Sequence, residues 1–367
     1  MSPKSNWTSP QKTNDYESKK PLDMKSKKLQ DSESNKYLDI TNVYLFLLRW
    51  RRPPSRVTMS TMNVGEHLLF TRGLNSYQRR ATAAHKQLAR GVYVKDEYYQ
   101  KLSHEDKYLL RSVALGMEGR PLTGKSAAAL WQMPTRVHNH EQVHIIGTGQ
   151  PRPGIWRTRL NKHDLRTTTV CGFEISLTSP ALTVIDIARW HGLAEAVRCG
   201  DFALANNLTT EDELLYAIHH RAKTTGIKTA RTAVRLINNH SESPRESDVK
   251  VALFEAGFPA PFQQASIYNT DGAFIGRVDF FYPDRSIALE YDGFGKTHGE
   301  FDEPTVLSVN RELTRHRRLE SEALTPIRID NESWKTKLFL RQLDRLWPLR
   351  GRFPSDQWSA PGLAWES

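Results

Sequence analysis

The sequence predicts a mixed α+β (α/β) protein of more than one domain. Three observations carry that expectation. The chain has 367 residues, which suggests two or three domains. A helix-start signature, Ser-Pro-Arg-Glu-Ser at 243–247, precedes two short apolar runs, 278–281 (Val-Asp-Phe-Phe) and 288–293 (Ala-Leu-Glu-Tyr-Asp-Gly). The turn Pro283-Asp284-Arg285-Ser286 divides those runs, and such a pair reads as a β-hairpin. Upstream, helical and strand-like periods alternate through residues 103–240.

Composition narrows the partners. A hydrophobic share of 38% and a mean hydropathy of -0.59 fit a soluble chain with a loose polar portion. The formal charge of +11 favours an anionic partner such as nucleic acid, but twelve Lys/Arg against six Asp/Glu fall within residues 1–58. Cys171 and Cys199 are too few for a zinc cluster and fit a reducing cytoplasm. The early apolar run Val43–Leu48 is too short to span a bilayer and follows about forty polar residues, so neither membrane association nor a signal peptide is expected.

Taken in order, residues 1–42 are rich in Ser, Lys, Asn and Asp and are expected to be disordered. Met59 or Met62 is the expected natural start, with 1–58 as an extension. From Met62 to Lys95 the chain reads helix, turn, helix, short strand. Tyr77–Ala89 is the second helix, carrying Arg79, Arg80, His85 and Lys86, and Arg90-Gly91-Val92-Tyr93-Val94 turns into the strand. This segment, 59–102, resembles the winged-helix N-terminal domain of AbiEi-type antitoxins, which act as repressors. That resemblance implies DNA contact through Arg79, Arg80, Lys86 and Arg90. A solvated basic helix face explains the same residues equally well.

Residues 103–240 form the next expected region. Helices are predicted over Glu105–Met117 and Ser126–Met133. Between them, Gly119-Arg-Pro-Leu-Thr-Gly124-Lys125-Ser126 satisfies the Walker A pattern, but a helical period precedes it where a P-loop needs a strand. Thr123 or Ser126 capping a helix is the simpler account. Ser126-Ala-Ala-Ala-Leu-Trp also resembles a helix that accompanies AbiEi-like domains. Strands are predicted at Val143–Ile146, Thr167–Val170 and Phe173–Leu177, and a helix at Ala181–Arg189 in which Asp186 reads as a buried acceptor. His138 and His140 read as surface residues.

The chemistry concentrates after residue 240. Ser243 as N-cap, Pro244 in the first turn and Glu246 at the third position make a capping box, with Gly257 as the stop. Glu290 and Asp292 share one face of their strand. If Asp279 points the same way from the neighbouring strand, three carboxylates converge. Carboxylates so placed are costly to ionise together, and a hard divalent cation, Mg²⁺ or Mn²⁺, is the usual remedy. A basic helix is predicted over Leu307–Ala323, with Arg311, Arg315 and Arg318 on one side to hold phosphates, followed by a strand at 327–330. The tail from Trp347 is expected to be irregular.

The order of Glu246, Asp279, Glu290, Asp292, Gly293 and His298, then a basic helix and a strand, resembles the PD-(D/E)xK nuclease superfamily. The nearest branch is that of very-short-patch-repair-endonuclease-like domains. The resemblance spans roughly 243–335, within an expected domain 241–346 and ahead of a tail 347–367. It implies a restriction-endonuclease-like fold that hydrolyses DNA with Mg²⁺ or Mn²⁺. Asp279, Glu290 and Asp292 would ligate the metal and Glu246 would orient a water or second ion. Where the superfamily places Lys two residues after the Glu, this chain has Asp292, so Lys296 and His298 share the proton-transfer role. The rival expectation is a non-enzymatic AbiEi-like repressor or antitoxin, with a toxin partner and a silent nuclease-like domain.

Overall fold

The computed structural model describes residues 68–70, 84–150, 152–159, 165–170, 172–291 and 317–365, all within one compact unit, Leu38–Ser367. Helices and sheets mix throughout, and the protein is α+β.

The first sheet has three antiparallel strands in the order β1 (Leu68–Phe70), β3 (Val92–Lys95), β2 (His85–Ala89). Gly91 supplies the positive φ of 78° at the β2–β3 turn, and Val92 and Val94 are buried beside the half-buried Tyr93. Residues 85–95 therefore form a hairpin, and the helix expected up to Ala89 is not present at 85–89. The helix propensity of Lys86, Gln87, Leu88 and Ala89 loses there to pairing with β3. Residues 71–83, including Arg79 and Arg80, lie outside the described residues.

Helix α1 (Asp96–Lys101) leads to α2 (His104–Met117), where Ser103 accepts the Asp106 N–H and two acids occupy the first turn. Helix α3 is Gly124–Leu130. Next come the parallel pair β4 (Val143–Ile146) and β5 (Ile155–Thr158), and the antiparallel pair β6 (Leu165–Val170) and β7 (Phe173–Thr178). Residues 121–123 knit the two pairs together. Leu122 donates to the Ser176 carbonyl and accepts from Thr178, while Ile146 donates to the Pro121 carbonyl and Thr123 to that of His144.

This placement accounts for the Walker-like letters. A helix precedes them, their backbone is engaged in a sheet, and Lys125 is buried in a 2.9 Å pair with Glu141. The expected side-chain cap at Thr123 or Ser126 is also corrected. The Thr123 hydroxyl donates to Asp186 at 3.3 Å, and Ser126 Oγ accepts the His144 N–H at 2.7 Å.

Four helices complete this half: α4 (Pro180–His191), α5 (Leu193–Ala205), α6 (Glu211–His220) and α7 (Ile227–Leu236). Helix α4 is buried from Pro180 to Ala188, and Asp186 within it accepts from Arg189 and Thr123, as expected of a buried acceptor. His138 and His140 are exposed.

Helix α8 (Pro244–Glu255) opens the second half, followed by β8 (Phe262–Tyr268), β9 (Phe274–Tyr282), β10 (Ile287–Tyr291) and β11 (Thr325–Ile329). The strand order is β11-β10-β9-β8, with β8, β9 and β10 antiparallel in turn and β11 parallel to β10. Helices α9 (Asn331–Thr336) and α10 (Leu338–Leu346) follow. The tail is not wholly irregular. Strands β12 (Trp358–Ser359) and β13 (Gly362–Leu363) extend the sheet beyond β8, and Phe353 packs edge-on against Phe281. Their strand character comes from the open edge of β8 rather than from local pattern.

The larger apolar core runs continuously from Val94 through Phe202, Val249 and Leu253 to Ile329, so both halves share one interior across the loop at 238–243.

Candidate active site

Strand register assembles the candidate site. In the β9–β10 ladder Tyr282 pairs with Ile287, Phe281 with Ala288 and Phe280 with Leu289, which sets Asp279 opposite Glu290. There the Asp279 carboxylate accepts the Tyr291 N–H at 2.8 Å. On the other side of β9, Gln263 pairs with Phe280 and Ala265 with Val278, which sets Gln264 opposite Asp279. Glu290 pairs directly with Arg328 on β11. A row of four polar residues, Gln264–Asp279–Glu290–Arg328, thus crosses four neighbouring strands.

At the row the register is unbroken, but the side chains change face. Phe262 and Phe281 pack in the same apolar cluster as Ala265 and Val278, although residues three apart on a strand ordinarily face opposite ways. Gln264 absorbs the change with φ of 51°, in the left-handed region. Its buried amide reaches Glu246 on α8, donating from Nε2 to Oε2 at 2.9 Å.

Glu246 combines a cap with a place in this site. Its N–H donates to Ser243 Oγ at 3.2 Å, and its Oε1 accepts the Ser243 hydroxyl at 2.8 Å. Oε2 accepts the Glu242 N–H at 2.8 Å besides Gln264. Burial and then the charge of Asp279 push the Glu246 carboxyl up to about 8, against an ordinary value of 4.5. Glu246 and Asp279 thus present neighbouring oxygen donors of the hard type that a divalent cation takes. Glu290 is 8% exposed, a burial that an acid tolerates only with compensation.

No group of three His, Cys, Asp or Glu side chains suited to a metal occurs among the described residues. Asp292, the third of the expected trio, lies outside them, as do Lys296, His298, Arg311 and Arg315. Of the remaining basic residues singled out from sequence, Lys86 is exposed on β2 with its ammonium 4.5 Å over the Tyr99 ring. Arg90 is exposed at the hairpin turn. Arg318 is exposed within the helical residues 317–321, beside the fully buried Leu319.

Lys250 stands one turn after Glu246 yet takes no part in the row. It is fully buried and paired with Asp201 of α5 at 2.8 Å, and Ser247 donates to the same carboxylate at 2.7 Å. Asp248 is held by Arg198 and Arg136, each at 2.6 Å. The face of α8 next to Glu246 is therefore locked onto α5 by charge. Sequence reasoning missed Gln264 and these anchors. The signal for Gln264 was the adjacent polar pair 263–264 within the strand Phe262–Tyr268.

No family model matches the chain. Two uncharacterized proteins of Mycobacterium tuberculosis, from strains CDC 1551 / Oshkosh and H37Rv, are each 29% identical to it over 168 residues. The matched stretch is 46% of this chain, and the chain spans 60% of the length of these curated relatives. Among the described residues no helix is long and apolar enough to cross a membrane.

Proposed function

We propose that the protein is a Mg²⁺- or Mn²⁺-dependent DNA endonuclease that hydrolyses phosphodiester bonds. The observation that carries this reading is the apposition of Asp279 and Glu290 on adjacent strands, beside a buried Glu246 whose carboxyl keeps its proton near neutrality. Asp279 and Glu290, with Asp292, would hold the cation. When bound, such a cation acidifies water and offsets charge on the phosphate. Tyr291 N–H orients the Asp279 carboxylate. Glu246, held by Ser243 and Gln264, keeps or releases a proton beside Asp279. Lys296 and His298 are the residues assigned to proton transfer at the attacking water or the leaving oxygen.

A second reading has its own support. Both Glu246 oxygens already accept hydrogen bonds, and Asp292 stands where a Lys would assist proton transfer. A repressor or antitoxin with a silent site, DNA as target and a toxin as partner would look the same.

Incubation of the full chain with plasmid DNA, in Mg²⁺, Mn²⁺ or EDTA, separates the two. The nuclease reading expects metal-dependent nicking or linearisation that Asp279→Ala abolishes while the melting temperature stays within a few degrees. DNA binding that persists in EDTA, with no cutting under any metal, favours the repressor.

A further inference from the structure

At the sheet edge, where the polar row ends, a cavity of about 330 Å³ opens between β11 and α10. Pro326, Ile327 and Arg328 line it from the strand, and Gln342, Arg345 and Leu346 from the helix. The helical residues recur at i, i+3 and i+4, so one face of α10 supplies them all. The lining residues include two arginines and one glutamine and no acid. Asp344, next to Arg345 in sequence, falls on a different side of the helix. Arg341 stands one turn before Arg345, and both are exposed.

We propose that this cavity is an oxyanion subsite that takes a phosphate group of the polynucleotide backbone. Guanidinium groups present planar forked donors that match phosphate oxygens, and the Gln342 amide adds a neutral donor. Position adds to the chemistry. Arg328, a lining residue, pairs in register with Glu290, so the cavity borders the strand on which the polar row ends. The assignment of that phosphate to DNA rests on the nuclease reading; the oxyanion chemistry of the cavity does not.

The test uses the full-length protein in EDTA, so that cutting does not enter. Binding of a fluorescent 20-base-pair duplex is measured by anisotropy from 50 to 250 mM KCl for wild type, Arg345→Ala and Arg345→Lys. Melting with inorganic phosphate as probe runs in parallel. The proposal expects Arg345→Ala to weaken duplex binding roughly three- to tenfold and to lower the slope of log K against log salt by about one. Arg345→Lys should keep the slope, and all three proteins should melt together without ligand. Duplex binding that is unchanged in affinity and slope in Arg345→Ala overturns the subsite and leaves the DNA reading standing. If wild type binds no duplex but phosphate raises its melting temperature in an Arg345-dependent way, the oxyanion subsite holds and the DNA reading fails. If neither probe binds, both fall.

Discussion

At Glu246, burial and the Asp279 charge hold a proton on a carboxyl that water would ionise near 4.5. The folded value, about 8, lies above the unfolded one, so the native state binds the extra proton between them. Stability from this group is fully present below pH 4.5 and is lost as pH rises through 8. The loss is at most about 5 kcal/mol by linkage. Glu246→Gln, which keeps the shape and cannot ionise, should flatten the alkaline limb of a urea-denaturation series from pH 5 to 9. A limb as steep as in wild type would contradict this origin. His144 and His191 impose the opposite slope. Burial, the foremost cause for both, depresses them to about 3 and about 4 from an ordinary 6.5, and their rings stack with centroids 5.0 Å apart. The unfolded chain takes up those protons first, so this stability is present above pH 6.5 and falls as pH drops towards 3. His144→Phe should reduce the acid-induced loss by about 2 kcal/mol, read at the pH 5 end of the same series. Residue chemistry of this kind was partly legible in the sequence. Ser243, Pro244 and Glu246 announce a helix start by type and spacing alone. The proton on Glu246 does not, because it arises first from burial in the fold and then from Asp279, which is distant in sequence.

Helix α8 is the element on which the two halves meet. One stretch of it carries Glu246 into the polar row, while Ser247, Asp248 and Lys250 dock on α5. Buried ion pairs contribute little net stability, but loss of one partner strands a charge in the interior. Lys250→Met should therefore destabilise the protein by about 3–5 kcal/mol. The double variant Asp201→Asn/Lys250→Met should recover much of that, and a double-mutant cycle by chemical denaturation measures the coupling. Additive single losses would refute it. The β9–β10 hairpin was legible because two apolar runs flank a turn-forming quartet. Strands β2, β12 and β13 were not. The residues before Ala89 have helical propensity that pairing with β3 overrides, and β12 and β13 are two-residue strands that exist because β8 has an open edge. The central role of residues 121–123 was hidden for a related reason. A three-residue bridge has no period of its own, and its letters fit a phosphate loop that the preceding helix rules out.

Across the whole molecule, a continuous apolar core joins the two halves, and a polar row crosses four strands of the C-terminal sheet. The sequence placed Asp279 and Glu290 on neighbouring strands because β-strand alternation and a recognisable turn suffice for that. It did not reveal the change of face at Gln264, which depends on one left-handed residue and on packing from the tail. The function proposed for this arrangement stands or falls on whether the carboxylates bind a divalent cation. The most direct measurement is calorimetric titration of Mn²⁺ into the full chain at pH 7 and pH 8.5, for wild type, Asp279→Asn and Glu290→Gln. The account predicts saturable binding by wild type that tightens as pH rises and the Glu246 proton is released, with binding lost in both variants at unchanged melting temperature. Absence of binding by wild type at either pH, or equal binding by all three proteins, would contradict it.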